Sequence, residues 1–467
     1  MSLFNPFGIG LSALRAFRLG LDTTGYNIAN ATTPGFSRRR VSLSSLYDPN
    51  AGGMLQAGFG VRAEVSRVHD PFLDFAVRRE MTRLGADDAR ARMLGILEPA
   101  FGPVDAAPLQ QALSRFFDAA DGLTANPENL ASRTEFTAAA RDLARTIRDT
   151  AGQLDAAREE VDGRIVETVD RVNGLLEGIA RLNRQIAAQE AGGSEAANLR
   201  DERGRLLDEL SQLVPARVVI DEQGVANVYL TDSGDALVTA TGARPLQLGI
   251  DGSGMHRVLA RRASSGLDVT DLLRGQGELG GLIETRDVHV AAYRSELDRF
   301  ASALIGEVNA RHAAGFDLDG NAGLPLFEPD PPGADAAGTI SVNAAILADP
   351  RLVAAAGAAG APGDNRAALA LSELRGLDLA GLGGTSLTGF VSELIADVGR
   401  DVETASTERD ASAAVVQSFE ARRAEASGVS LDEEAAQLVL WQRSYEAAAR
   451  FLQTVDEVTQ VALQLGR

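Results

Sequence analysis

Residues 21–38 read Leu-Asp-Thr-Thr-Gly-Tyr-Asn-Ile-Ala-Asn-Ala-Thr-Thr-Pro-Gly-Phe-Ser-Arg, and they couple the end of a helix to a forced turn. Upstream, Phe7, Leu14, Leu21 and Ile28 recur every seven residues with Leu11 and Phe17 beside them, the spacing of a single helical stripe. Pro34 disfavours the helical region for the residue before it, and Gly35 permits a turn, so the helix is predicted to stop near Asn30.

The other end of the chain mirrors this pattern. Leu431, Leu438, Tyr445 and Leu452 recur every seven residues, with Trp441, Ala448, Val455 and Ala462 three positions after each, as in a coiled-coil seam. Ser430 followed by Glu433 is a capping-box signature for the start of that helix. Asp432-Glu433-Glu434 is read as a negative first turn complementing the helix dipole, and Arg38-Arg39-Arg40 as a solvated basic edge.

Between the ends, residues 128–213 carry a strong helical period through Ile165, Val172, Ile179 and Ile186, broken at Gly192-Gly193. Helical periodicity returns over 282–311 and 390–423. Residues 216–269 differ: short β-type runs at 217–220, 225–230 and 236–241 alternate with Gly-containing turns. A Pro/Gly/Ala-rich stretch, 328–364, shows one strand-like run at Thr339 to Val342 and is read as a loop or a reduced second insertion. The predicted fold is mainly α with an inserted small β domain, with paired N- and C-terminal coiled-coil helices and a long helical bundle body. The expected divisions are 1–35 with 429–467 as paired terminal helices, 36–215 with 276–428 as the body, and 216–275 as the β insertion.

Composition narrows the function. The formal net charge is −20, which repels nucleic-acid phosphates and anionic membrane surfaces. All 45 basic residues are arginine, which removes P-loop and Schiff-base lysines. There are no cysteines, hence no disulfides, thiolate metal sites or cysteine nucleophiles. The N-terminus lacks the positive region and cleavage site of a signal peptide, and no apolar run is long enough to span a bilayer. The four histidines, His69, His256, His289 and His312, have no metal-ligand spacing and read as structural or surface residues. Asp317 to Asn321 resembles a calcium loop only superficially and is read as a turn. No nucleophile elbow or phosphate loop appears. The expectation is a protein that is not an enzyme, with no catalytic residues, metal or cofactor.

The stretch Leu21 to Arg38 resembles the N-terminal signature of bacterial flagellar axial proteins, the rod, hook and hook-associated proteins. Gly428-Val429-Ser430-Leu431-Asp432-Glu433-Glu434, with Leu438, Gln442, Tyr445, Ala447 and Ala449 after it, is similar to the closing helix of the same superfamily, and most resembles the hook-associated protein 1 family. Asn198 to Arg203, Leu206 to Leu210, Gly280 to Asp287 and His312 to Gly320 agree with that family as well. The resemblance implies a structural component of the hook-filament junction, exported without a cleaved signal peptide through the flagellar type III apparatus and located outside the cell. It implies self-association in the axial tube, contact with hook protein and hook-associated protein 3, and a secretion chaperone on the C-terminal helix. Leu14, Leu21, Asn27, Ile28, Asn30, Pro34, Gly35, Leu431, Leu438, Trp441, Tyr445, Leu452 and Val455 are then the candidate subunit-packing residues. A two-helix end with one apolar stripe buries too little surface to offset chain entropy, so both ends are expected to be disordered until neighbours complete the seam. The alternatives are a hook or rod subunit, or a secreted effector with its site in 216–364.

Overall fold

The computed structural model describes residues 4–45, 60–102, 107–193, 195–261, 266–329 and 335–465. Helix α1 (Phe4–Ala29) leads through the Pro34-Gly35 turn into an antiparallel hairpin, β1 (Arg39–Ser45) and β2 (Val61–Arg67). Then come α2 (Pro71–Phe101), α3 (Pro108–Ala125), α4 (Leu130–Glu190) and α5 (Ala197–Leu213). Local chemistry sets these boundaries. The Asp70 side chain accepts from the Phe72 and Leu73 amides ahead of α2, Pro71 needs no donor at the first position, and Asn129 caps α4 through the Ala131 amide at 2.7 Å. At 61 residues, α4 is roughly 90 Å long at 1.5 Å per residue, and it ends where predicted, in the turn at Gly192-Gly193.

Two antiparallel sheets follow. Strands β3 (Ala216–Ile220), β4 (Ala226–Leu230), β5 (Ala236–Thr239) and β6 (Gly242–Ala243) pair in sequence order, as do β7 (Gln247–Ile250), β8 (His256–Arg261) and β9 (Gly266–Asp268). The chain returns to helix through α6 (Thr270–Leu273), α7 (Gly277–Glu284), a π-helical segment (Thr285–Val290) and α8 (Ala291–Ala313). Short helices α9 (Ala336–Thr339), α10 (Ala344–Ala348) and α11 (Arg366–Ser372) precede two long ones, α12 (Leu387–Ser427) and α13 (Leu431–Leu465).

Two hydrophobic cores are strung along α4. Its N-terminal half packs with α3, α8 and α12 around Phe116, Phe117, Phe136, Phe300 and Phe327. Its C-terminal half, from Val161 to Ala180, packs with α5, α7 and the apolar faces of both sheets. The sheets therefore share the helical core instead of enclosing one of their own.

Three local expectations are corrected. The hairpin β1–β2 stands where only helix was expected after residue 36; its apolar/polar alternation, Val41 and Leu43 on β1 with Val61, Ala63 and Val65 on β2, is the strand signal that the helical reading passed over. Thr339 to Val342 is no strand: Ala336–Thr339 is a helical turn capped by Asp335, and Val342 only bridges Phe327. In the stretch 328–364, residues 330–334 lie outside the described residues, while Ala336, Ala337, Ile340, Ile346 and Val353 are buried in the first core. The Asp317 loop is a turn, its carboxylate accepting from the Asp319 and Asn321 amides at 2.9 and 2.8 Å.

Candidate assembly interface

Helices α1 and α13 run antiparallel and touch through small residues. A Cβ at Gly10 would lie 2.6 Å from Leu452 Cδ2, and one at Gly20 would lie 2.6 Å from Trp441 Cδ2. Phe17 packs its ring on Trp441 with centroids 6.1 Å apart. The contacting face thus runs through Gly10, Ala16, Gly20 and Asn27, a stripe adjacent to the heptad of large residues. Leu14 and Leu21 are half-buried at its edge, whereas Phe7 and Ile28 are exposed. On α13, Leu438, Trp441, Leu452 and Val455 are half-buried, while Leu431 is 57% and Tyr445 38% exposed. Val439, Leu440, Phe451, Val458, Val461 and Leu463 are exposed as well. Small residues on α1 explain this arrangement: Gly10 and Gly20 leave room for Leu452 and Trp441 of α13, so the helices approach closely there.

A polar clamp fixes the root of the pair. Asn27, 1% exposed, donates its amide to the Arg39 carbonyl at 2.9 Å and to Glu434 Oε2 at 3.0 Å, and its Oδ1 accepts from the Arg39 amide at 3.0 Å. Glu434 is itself buried, and its other oxygen accepts from Arg38 Nε at 2.7 Å. Arg38 also pairs with Glu433 at 2.6 Å, and its backbone amide reaches the Ser427 carbonyl at 2.8 Å. One asparagine therefore ties α1, β1 and the first turn of α13 together through charge-assisted hydrogen bonds. This corrects two readings: Arg38 is an ion-pair partner and not a solvated edge, and Glu434 is a buried ligand of the clamp as well as a first-turn charge. Ser430 caps α13 as predicted, accepting from the Glu433 amide at 3.5 Å.

The turn after α1 is held against the body. Asn30 closes α1 by donating its side-chain amide to the Tyr26 carbonyl at 2.9 Å. Pro34 and Gly35 are exposed, and at Gly35, with φ +74°, any side chain would be strained and would meet Arg205 Cγ at 2.5 Å. The Arg39 guanidinium lies 4.2 Å over the Tyr26 ring, and the Tyr26 hydroxyl donates to Asn198 Oδ1 at 2.9 Å. Arg67 on β2 pairs with Asp201 of α5 at 2.9 Å. Asn198 and Asp201 thus serve as the body's anchor points for the terminal unit. Sequence reasoning marked their segment as family-like but gave them no role.

Buried titratable groups lie in the body. His312 is fully buried: its Nδ1 donates to the Leu324 carbonyl and its Nε2 accepts from the Ala354 amide at 2.9 Å. Burial pushes its pKa down to about 4, so the ring is neutral. Asp162 is held below the usual carboxylate range because hydrogen bonds from His256 and Arg286 outweigh the opposing burial. Arg203, buried and bonded to Asn183 and the Gly224 carbonyl, is lowered to about 10 by burial and keeps its charge. Among the described residues no cluster of three or more His, Cys, Asp or Glu has metal-binding geometry, and no helix is long and apolar enough to cross a membrane.

Comparison with known proteins identifies the lineage. Residues 94–327, half of the chain, match the family model described as the flagellar hook-associated protein FlgK helical domain. The chain belongs to the FlgK family. Residues 421–465, which hold the clamp glutamates and α13, match the C-terminal model of the flagellar basal body rod FlgEFG proteins. Flagellar hook-associated protein 1 of Bacillus subtilis is 27% identical over 96% of this chain and 95% of its own length. Its Escherichia coli counterpart is 27% identical over 68% of this chain, and the match spans 58% of that longer protein. The flagellar hook junction protein FlgK from Burkholderia pseudomallei shares the fold, with a TM-score of 0.64 at 17% identity over 74% of this chain and 98% of that one. FlgK-family proteins are structural parts of the flagellum and associate with its other axial components, so this chain is a flagellar structural protein and not an enzyme.

Proposed function

We propose that this protein builds the hook-filament junction, polymerising through α1 and α13 at the axis of the tube. The observation that carries this reading is the set of eight large apolar side chains of α13 that stay exposed after α1 has packed against it. Exposed large apolar side chains concentrated on one helix mark a protein-binding face. Leu431, Tyr445 and Ile28 meet the next subunit, while Trp441, Leu452 and Gly20 hold the pair together within one chain. Residues 1–35 with 429–467 form the axial unit, and 36–215 with 276–428 form the body that carries the sheet insertion 216–275.

In this reading the hook protein lies on one side of the ring and hook-associated protein 3 on the other. The chain leaves the cell unfolded through the type III apparatus without a cleaved signal peptide, with a chaperone covering the apolar faces of α13. Its ends order fully when neighbours cover them, so that folding and assembly are coupled. A clean deletion in the source bacterium, scored by electron microscopy and by flagellin in the medium, tests the role. Hooks without filaments, with flagellin lost to the medium, are expected. Absence of hooks would move the protein to the hook or rod, and normal filaments would overturn the flagellar role.

A further inference from the structure

A groove of about 860 Å³ opens between the Pro34-Gly35 turn, α2, α5, β3 and the end of α12. Its lining holds nine arginines and four carboxylates, on a chain whose net charge is −20. The carboxylates are already committed: Asp201 to Arg67, Asp208 to Arg78 and Arg423, Asp74 to Arg423, and Glu420 to Arg423. Arg205 and Arg217 have no carboxylate within ion-pair distance among the described residues. Arg79, Arg83 and Arg200 pair with Glu80, Asp87 and Glu190 beyond the lining, and Arg203 is buried against Asn183, so the open cations of the groove are the exposed Arg205 and Arg217.

Its walls are also apolar. Phe75 lines it and is 56% exposed, and Phe72, one turn earlier on the same helix, is 83% exposed. Strand β3 forms another wall and is the edge of its sheet, with Val219 and Ile220 half-exposed. An edge strand offers unpaired backbone groups, and two bare phenylalanines offer area that a small anion would leave uncovered. The combination fits a polypeptide segment carrying both carboxylates and apolar side chains.

We propose that this groove is the socket for an acidic segment of a second copy of this chain, the neighbouring subunit of the junction. The inference rests on the assembly reading above and adds a second contact to it, in the body and not at the axis. Two features favour a second copy. The rim of the groove is the Pro34-Gly35 turn and the Ser427 to Val429 connection, so it is continuous with the α1/α13 surface. Complementarity is also built in, because the rest of each copy is strongly acidic, and opposite charges across an interface set register and partner choice.

The test uses the full chain in the source bacterium. A photo-crosslinking amino acid at position 217 is expected to trap a covalent dimer of this chain in intact flagella, with the adduct mapping to an acidic stretch. The double variant Arg205→Glu/Arg217→Glu is expected to be exported but to leave about tenfold or more fewer hooks bearing filaments, since like charges facing each other cost several kcal/mol. The charge-neutral Arg205→Gln/Arg217→Gln should fall between it and the parent, and unchanged melting of the purified variants separates the effect from misfolding. Crosslinks solely to a different protein, or normal filaments in the double variant, would overturn the socket while leaving the deletion phenotype and the junction role intact. A deletion strain with normal filaments would remove the underlying reading instead.

Discussion

The body and the terminal helix pair solve opposite packing problems. In the body, Leu113, Phe116, Ile147 and Val172 are completely buried, and two cores close around α4. In the terminal pair Gly10, Ala16 and Gly20 of α1 close against Trp441 and Leu452 of α13, and side chains as large as Leu463 and Val458 remain 65% and 58% exposed. The body closes two cores within one chain, whereas α13 keeps eight large apolar side chains exposed after pairing with α1. An apolar inventory alone would have ranked the two regions as equals; what separates them is which stripe of each helix is spent within the chain.

The sharpest way to break this contrast is to remove body packing. Phe116→Ala should destabilise the protein by about 3–5 kcal/mol, read as a lower melting temperature or denaturant midpoint. Next comes pH. His312 is neutral when folded and titrates near 4, below the ordinary histidine value of 6.5. A depressed folded value means stability that is fully present above about 6.5, declines as pH falls toward 4 and is gone below it; the shift is worth on the order of 3 kcal/mol. Asp162 is lowered from an ordinary value of 3.8 that already lies below that window. A parent whose stability falls between pH 6.5 and 4 beside a flatter His312→Gln variant would place the loss in the body.

The clamp tests the joint between the regions. Glu434→Ala leaves the Asn27 amide and the Arg38 guanidinium without their shared partner, a penalty of about 1–3 kcal/mol. Hydrogen exchange should quicken in the first turns of α13 and around β1 while α4 stays protected. Smallest in energy is Gly20→Val, which pushes Trp441 off α1. As Trp441 is the sole tryptophan, its emission should shift to the red with little change in the melting of the body.

Much of this contrast was legible in the sequence, and its errors are instructive. Helix ends were readable because their signals are local: Pro34-Gly35 after α1, Gly192-Gly193 after α4, Ser430 before α13. The heptads of large residues correctly marked amphipathic helices, yet they do not show which stripe meets the chain's own partner, because Gly10 and Gly20 carry no hydrophobic signal. The Arg38–Glu434 bond joins residues 396 apart, so no short window could reveal it. The π-helical segment Thr285–Val290 keeps enough helical period to pass for α.

The most direct test of the central claim places charge on the exposed face of α13 and leaves everything else in position. Val458→Asp/Val461→Asp changes two exposed residues far from both cores, so the purified variant should melt within about 0.5 kcal/mol of the parent. In the source bacterium, electron microscopy should show hooks without filaments, with the variant chain exported and lost to the medium. Normal filaments on that variant would contradict the account, since the outward stripe of α13 would then have no neighbour to meet.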